Sequence, residues 1–133
     1  MNDLRLPNPK MMDVAVPNNI KIGLSQDEIA KRGWAIEHDE LMGLISRPDV
    51  AIIDLREQQE LDSHGTVPGT LHVPYGGLAQ ALKPGGMLNA LGRTKQLVFL
   101  CAFGERSAMA VQAAHKAGLE RTLHLNQGLN GGK

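Results

Sequence analysis

A single cysteine, Cys101, occurs in the 133 residues of the chain. That excludes an intramolecular disulfide framework and a cysteine-based zinc cluster, and leaves a buried thiol or a reactive one. Aromatic residues are scarce at 3%. Phe99, Phe103, Trp34 and Tyr75 supply neither a base-stacking platform nor an aromatic carbohydrate groove, so an aliphatic core is expected. Net charge is absent, because 14 Lys and Arg balance 14 Asp and Glu. Without a global field to hold a polyanion, nucleic acid and membrane are not expected as partners. No run approaches the roughly 20 consecutive apolar residues of a membrane helix, although 42% of the chain is hydrophobic. A soluble fold of one domain follows. The first residues, Met1 to Gly23, lack the basic-then-apolar start of a secretory signal and are interrupted by Pro7, Pro9 and Pro17. They read as an irregular arm over residues 1–24, ahead of a domain over 25–133, in a cytoplasmic protein.

The pattern that is present alternates helices with short apolar strands. Ser25 and Glu28 have capping-box spacing, which predicts a helix running to about Arg32 and stopped by Gly33. A second helix is expected from Ile36, with Leu41, Leu44 and Ile45 on one face and Pro48 ending it. Val50-Ala51-Ile52-Ile53 and Leu97-Val98-Phe99-Leu100 are unbroken apolar runs, as in strands buried on both faces of a parallel sheet. Glu105 to Ala117 is alanine-rich, sets Ala110, Ala113, Ala114 and Ala117 at helical spacing, and is followed by Gly118. A last strand is expected over Thr122 to Leu125. This succession predicts an α/β fold on a mainly parallel sheet. Ligands bind such sheets at the carboxyl ends of the strands, which puts Asp54 and Cys101 at the functional rim.

The loop Cys101-Ala102-Phe103-Gly104-Glu105-Arg106-Ser107 joins a buried strand to a helix. A thiol placed there faces the unpaired N–H groups and positive dipole end of the helix, both of which favour thiolate. The loop amides can form an anion cradle, Gly104 permits positive φ, and Arg106 adds a planar fork of donors. Glu105 opposes a small dianion by charge. Ser107, at the helix start, reads as a cap or loop brace. Phe103 is either a hydrophobic plug or a wall facing the substrate. Glu57 and Glu60 read as solvent-exposed carboxylates of a helix first turn, and His38, His115 and His124 as surface or helix-face residues. No metal site is expected.

Several segments together resemble the rhodanese family of sulfurtransferases over about Ile36 to Gly131. They are Asp54-Leu55-Arg56-Glu57 with Glu60, Gly65-Thr66-Val67-Pro68-Gly69-Thr70, His72-Val73-Pro74, the loop Cys101 to Arg106 with Ser107, Gly118-Leu119, and Leu125-Asn126-Gln127-Gly128. The chain departs from the family pattern at Thr66, Thr70 and Gln127, which stand where histidine, alanine and the first glycine of a pair are usual. The resemblance implies an open, mainly parallel sheet of about five strands with helices on both faces. It implies that Cys101 takes sulfane sulfur from a small anionic donor such as thiosulfate, or from a persulfide, and holds it as a covalent persulfide. The sulfur then passes to cyanide, a thiol or a protein acceptor, with no metal or organic cofactor. By the same resemblance Ala102 to Ser107 bind the substrate, while Asp54, Arg56 and His72 organise the rim. A non-catalytic or sulfur-sensing interaction domain is the alternative. Phosphatase or arsenate reductase chemistry is disfavoured, because those relatives resemble this chain but carry one residue more between cysteine and arginine.

Overall fold

The computed structural model describes residues 23–131. The arm expected over residues 1–24 lies outside them, except for Gly23 and Leu24. Helix α1 (Gln26–Lys31) starts on the expected capping box: the Ser25 hydroxyl accepts the Glu28 amide at 3.1 Å, and the Glu28 carboxylate accepts the Ser25 amide at 2.8 Å. Strand β1 (Ala35–Ile36) precedes α2 (His38–Leu44). The second helix therefore begins two residues later than its periodicity suggested. Ile36 instead pairs with Leu125 in the sheet and is buried there, a tertiary pairing that overrides a local pattern.

The remaining elements are β2 (Val50–Asp54), α3 (Gln58–His64), β3 (Thr70–His72), a 3-10 turn (Tyr75–Gly77), α4 (Leu78–Leu82), α5 (Met87–Gly92), β4 (Gln96–Leu100), α6 (Glu105–Lys116), β5 (Leu123–Leu125) and α7 (Gly128–Gly131). The strands form one sheet in the order β1-β5-β4-β2-β3, with every neighbouring pair parallel. An open parallel α/β sheet of five strands is thus what the molecule builds.

The unbroken apolar runs divide between two cores with the two-residue period of a strand. Ala51, Ile53, Leu97, Phe99 and Cys101 pack on one face against Leu78, Leu82 and Leu88 of α4 and α5 and against Ala110 and Ala114 of α6. Val50, Ile52, Val98, Leu100 and Leu125 pack on the other with Leu41 of α2 and Leu129 of α7. Small alanines let α6 lie close to the sheet. On its outer side Ala108 and Val111 form a third cluster with Ile29 of α1. Helix α1 is therefore attached to the helix that carries the cysteine loop at its start. Among the described residues no helix is long and apolar enough to cross a membrane.

Candidate active site

Register places the site. Asp54 of β2 lies opposite Leu100 of β4 on one side and His72 of β3 on the other. The chain leaving β4 therefore enters the cysteine loop beside the segment leaving β2. There Arg56 turns back onto Asp54, with Nη2 to Oδ2 at 2.8 Å and Nε to Oδ1 at 3.1 Å, and both residues are buried. The Arg56 amide donates to the same carboxylate at 3.0 Å, Nη2 also donates to the Gly65 carbonyl at 3.0 Å, and His72 Nε2–H donates to the Arg56 carbonyl at 2.7 Å. Every partner in this set is a rim group of the chain itself, so Asp54, Arg56 and His72 tie the ends of β2 and β3 to the segment after α3. A buried ion pair needs such full satisfaction to offset desolvation.

The cysteine loop is built around the sulfur. Sγ of Cys101 accepts the Gly104 amide at 3.1 Å and the Ser107 amide at 3.4 Å, and lies 3.5 Å from the Ser107 hydroxyl. Two amides converge because Gly104 has φ 95°, a left-handed conformation that reverses the chain just before α6 and that a residue with Cβ adopts only with strain. A Cβ there would also collide with Gln26 Oε1. The carbonyls of Cys101 and Ala102 face the opposite way and accept the Leu129 and Asn130 amides of α7, each at 2.8 Å. Cys101 itself has no exposed surface, whereas Phe103 in the same loop is 56% exposed and Glu105 is exposed. Phe103 thus faces solvent and does not plug the loop.

Arg106 does not stand free over the loop. Its Nη1 and Nη2 donate to the two carboxylate oxygens of Glu60 at 2.7 and 2.8 Å. The bidentate bond from Arg106 holds the Glu60 carboxyl at about 2, well below its usual 4.5, and Glu60 in turn raises the guanidinium above its ordinary value. Expecting Glu60 to be an exposed first-turn carboxylate is therefore incorrect. Being the third helical residue, Glu60 reaches back with Oε1 to the Glu57 amide at 2.8 Å, and this points its carboxylate at the loop.

Two further residues departed from the reading of the sequence or escaped it. His124 is fully buried and not at the surface, with Nδ1 2.8 Å from the Ser107 hydroxyl. The reason is that β5 lies inside the sheet between β1 and β4, with α6 packed against it. Gln26 carried no motif. Its side chain spans from the Phe103 carbonyl, to which Nε2 donates at 3.2 Å, to the Gln127 amide, which donates to Oε1 at 2.8 Å. Gln127 has φ 65°, a conformation that explains why glycine would be the unstrained residue there. Of the three histidines read as surface or helix-face residues, His38 and His115 do sit on helices: His38 bonds the Gly128 carbonyl at 3.1 Å, and His115 bonds that of Thr122 at 2.9 Å. Among the described residues no group of three or more His, Cys, Asp or Glu is placed to hold a metal ion. A cleft of about 770 Å³ is lined by residues such as Leu24, Trp34, Met109 and Gln112 and includes none of the loop residues.

Comparison with known proteins bears on this arrangement. The family model "Rhodanese-like domain" matches residues 37–133. A rhodanese domain-containing protein of Drosophila melanogaster is 30% identical over 88 residues, covering 61% of this chain and 79% of that protein. Among solved structures, a human single-domain sulfurtransferase superposes with a TM-score of 0.57 at 27% identity, covering 70% of this chain and 88% of that one. A Rhodopseudomonas palustris protein of unknown function, described as a possible tyrosine phosphatase, gives a TM-score of 0.69 at 27% identity and covers 89% of this chain and 91% of that one. With the family model covering most of its length, five parallel strands and the cysteine at the carboxyl end of β4, the chain belongs to the rhodanese-like domain family.

Proposed function

We propose that the protein is a sulfurtransferase in which Cys101 carries the sulfur. The observation that supports it most is the convergence of the Gly104 and Ser107 amides on Cys101 Sγ, at 3.1 and 3.4 Å. A structural cysteine in an apolar core has no use for two main-chain donors, whereas a thiolate does. The thiolate attacks the outer sulfur of thiosulfate or of a persulfide. A sulfur–sulfur bond forms to Cys101, the bond to the inner sulfur breaks, and sulfite or a thiolate leaves with the electron pair. Loop amides and the start of α6 stabilise the charge in transit. Cyanide, a thiol or a protein acceptor then attacks the terminal sulfur, and Cys101 Sγ takes back the electron pair of the bond that breaks. The cycle needs neither metal nor organic cofactor. Because Cys101 has no exposed surface, the loop must yield to admit the donor, and the exposed Phe103 beside it suits a donor or acceptor larger than bare thiosulfate.

Intact-mass spectrometry after incubation with thiosulfate tests the reading: one added sulfur, about 32 Da, is expected on the wild type and is removed by cyanide as thiocyanate. Cys101→Ser should show neither. Thiocyanate formation persisting in that variant would refute the mechanism. A stable adduct with negligible turnover would mark a sulfur-sensing domain, and hydrolysis of an aryl phosphate by Cys101 would instead favour the phosphatase reading suggested for the Rhodopseudomonas palustris protein.

A further inference from the structure

His124 is a buried titratable side chain that the cycle above leaves without a task. Its Nδ1 is 2.8 Å from Ser107 Oγ, and Ser107 Oγ is 3.5 Å from Cys101 Sγ, so an unbroken line of polar atoms runs from the middle of the sheet to the nucleophile. Its other ring nitrogen, Nε2, is buried and has no hydrogen-bond partner among the described residues. Burial holds the ring well below its usual 6.5, at about 4, so it is neutral near pH 7. A neutral imidazole carries one proton. Buried N–H groups without an acceptor are rarer in folded proteins than acceptors without a donor, which assigns the bare lone pair to Nε2 and the proton to Nδ1.

The consequence falls on Ser107. With Nδ1–H donating to Oγ, the serine's own proton must point elsewhere, toward Cys101 Sγ at 3.5 Å or the Gly104 carbonyl at 3.3 Å. A bond to a charged acceptor is the stronger choice whenever the sulfur is a thiolate. We propose that His124 is a positioning residue for the Cys101 nucleophile: it fixes the Ser107 hydroxyl as a third donor to the sulfur, beside the Gly104 and Ser107 amides. The inference rests on Cys101 being the residue that carries sulfur. No proton moves along the line, and His124 stays neutral throughout. The hydroxyl stabilises the thiolate that attacks the donor, and it does so again when the acceptor removes the terminal sulfur and the Cys101 sulfur leaves with the electron pair.

The test measures alkylation of Cys101 by iodoacetamide at pH 7 in the full chain, alongside kcat and KM for thiosulfate. Losing one bond to a charged group slows such a reaction by about tenfold. That loss is expected for His124→Leu, in kcat more than in KM, and equally for Ser107→Ala. His124→Asn sets an amide donor near the place of Nδ1 and should recover most of the rate; His124→Gln, whose amide reaches the Nε2 end, should not. Adding His124→Gln to Ser107→Ala should change nothing further, because the intermediary is gone. Equal rates for the Asn and Gln variants, or independent effects of the Ser107 and His124 changes, would overturn the proposal, and neither comparison depends on the leucine variant folding. Alkylation does not require sulfur transfer. A wild type that shows this coupling yet forms no thiocyanate would therefore refute the sulfurtransferase reading alone.

Discussion

At the scale of single residues, the loop's charge is arranged differently from its composition. A fork of donors on Arg106 suggests a waiting anion site, but both terminal nitrogens are held by Glu60 at 2.7 and 2.8 Å, and the exposed Glu105 adds a further negative charge. The groups that donate directly to the sulfur are therefore the Gly104 and Ser107 amides and not the guanidinium. Releasing the arginine should change the donor preference. Glu60→Gln is expected to lower KM for thiosulfate several-fold with little change in kcat, and Arg106→Ala to raise it, because a dianion responds to the net charge at the mouth of the site. Steady-state kinetics at low ionic strength measure this. An unchanged KM in both variants would show that donors do not pass the Arg106–Glu60 pair. The places of the cysteine and the glycine in this loop were legible from the sequence because a buried apolar run leads straight into Cys101 and an alanine-rich helix follows Gly104. The partner of Arg106 was not, since a first-turn glutamate looks the same whether its carboxylate meets water or a guanidinium 46 residues away.

At the scale of elements, legibility followed burial. Strands β2 and β4 are apolar except for Asp54 and Gln96 at their ends, because helices cover both their faces, and they were readable to within a residue. Strand β3 is an edge strand with Leu71 45% exposed, and β1 has two residues; neither length nor pattern announces them, and pairing with β2 and β5 creates them. Helix α1 was readable from its capping box, but its purpose was not. It precedes the residues that match the family model, residues 37–133, and yet supplies Gln26, which ties the Phe103 carbonyl to the Gln127 amide. Both partners belong to segments that enclose a sulfur with no exposed surface. Cutting this tie with Gln26→Ala should loosen the loop more than the fold. Cys101 is expected to alkylate several-fold faster, while stability falls by only about 1 kcal/mol for two lost hydrogen bonds at a partly exposed site. Alkylation followed by mass spectrometry, with urea denaturation in parallel, decides the matter; an alkylation rate equal to that of the wild type would mean that Gln26 does not restrain access.

At the scale of the whole molecule, the balance of 14 basic against 14 acidic residues leaves little net self-repulsion near neutrality, so the first loss of stability on acidification falls to individual groups. His124 is expected to set it. In the unfolded chain the ring takes a proton near 6.5, whereas burial keeps the folded ring neutral down to about 4. Between those values the unfolded state binds more protons, so stability is complete above pH 6.5 and declines as the pH falls toward 4. A difference of that size corresponds to roughly 3 kcal/mol. Glu60 acts in a lower window with the sign of an ion-paired carboxylate: its contribution is present above 4.5 and lost as the pH falls toward 2. Because the pair is partly exposed, that step is smaller, about 1 kcal/mol. Urea denaturation across this range separates the two. His124→Asn should flatten the decline between pH 6.5 and 4, while Glu60→Gln should leave that decline in place and remove the step below 4.5. If the asparagine variant loses stability as steeply as the wild type in the upper window, then the ring does not enter the fold as a neutral group, and the assignment of its proton to Nδ1 fails with it.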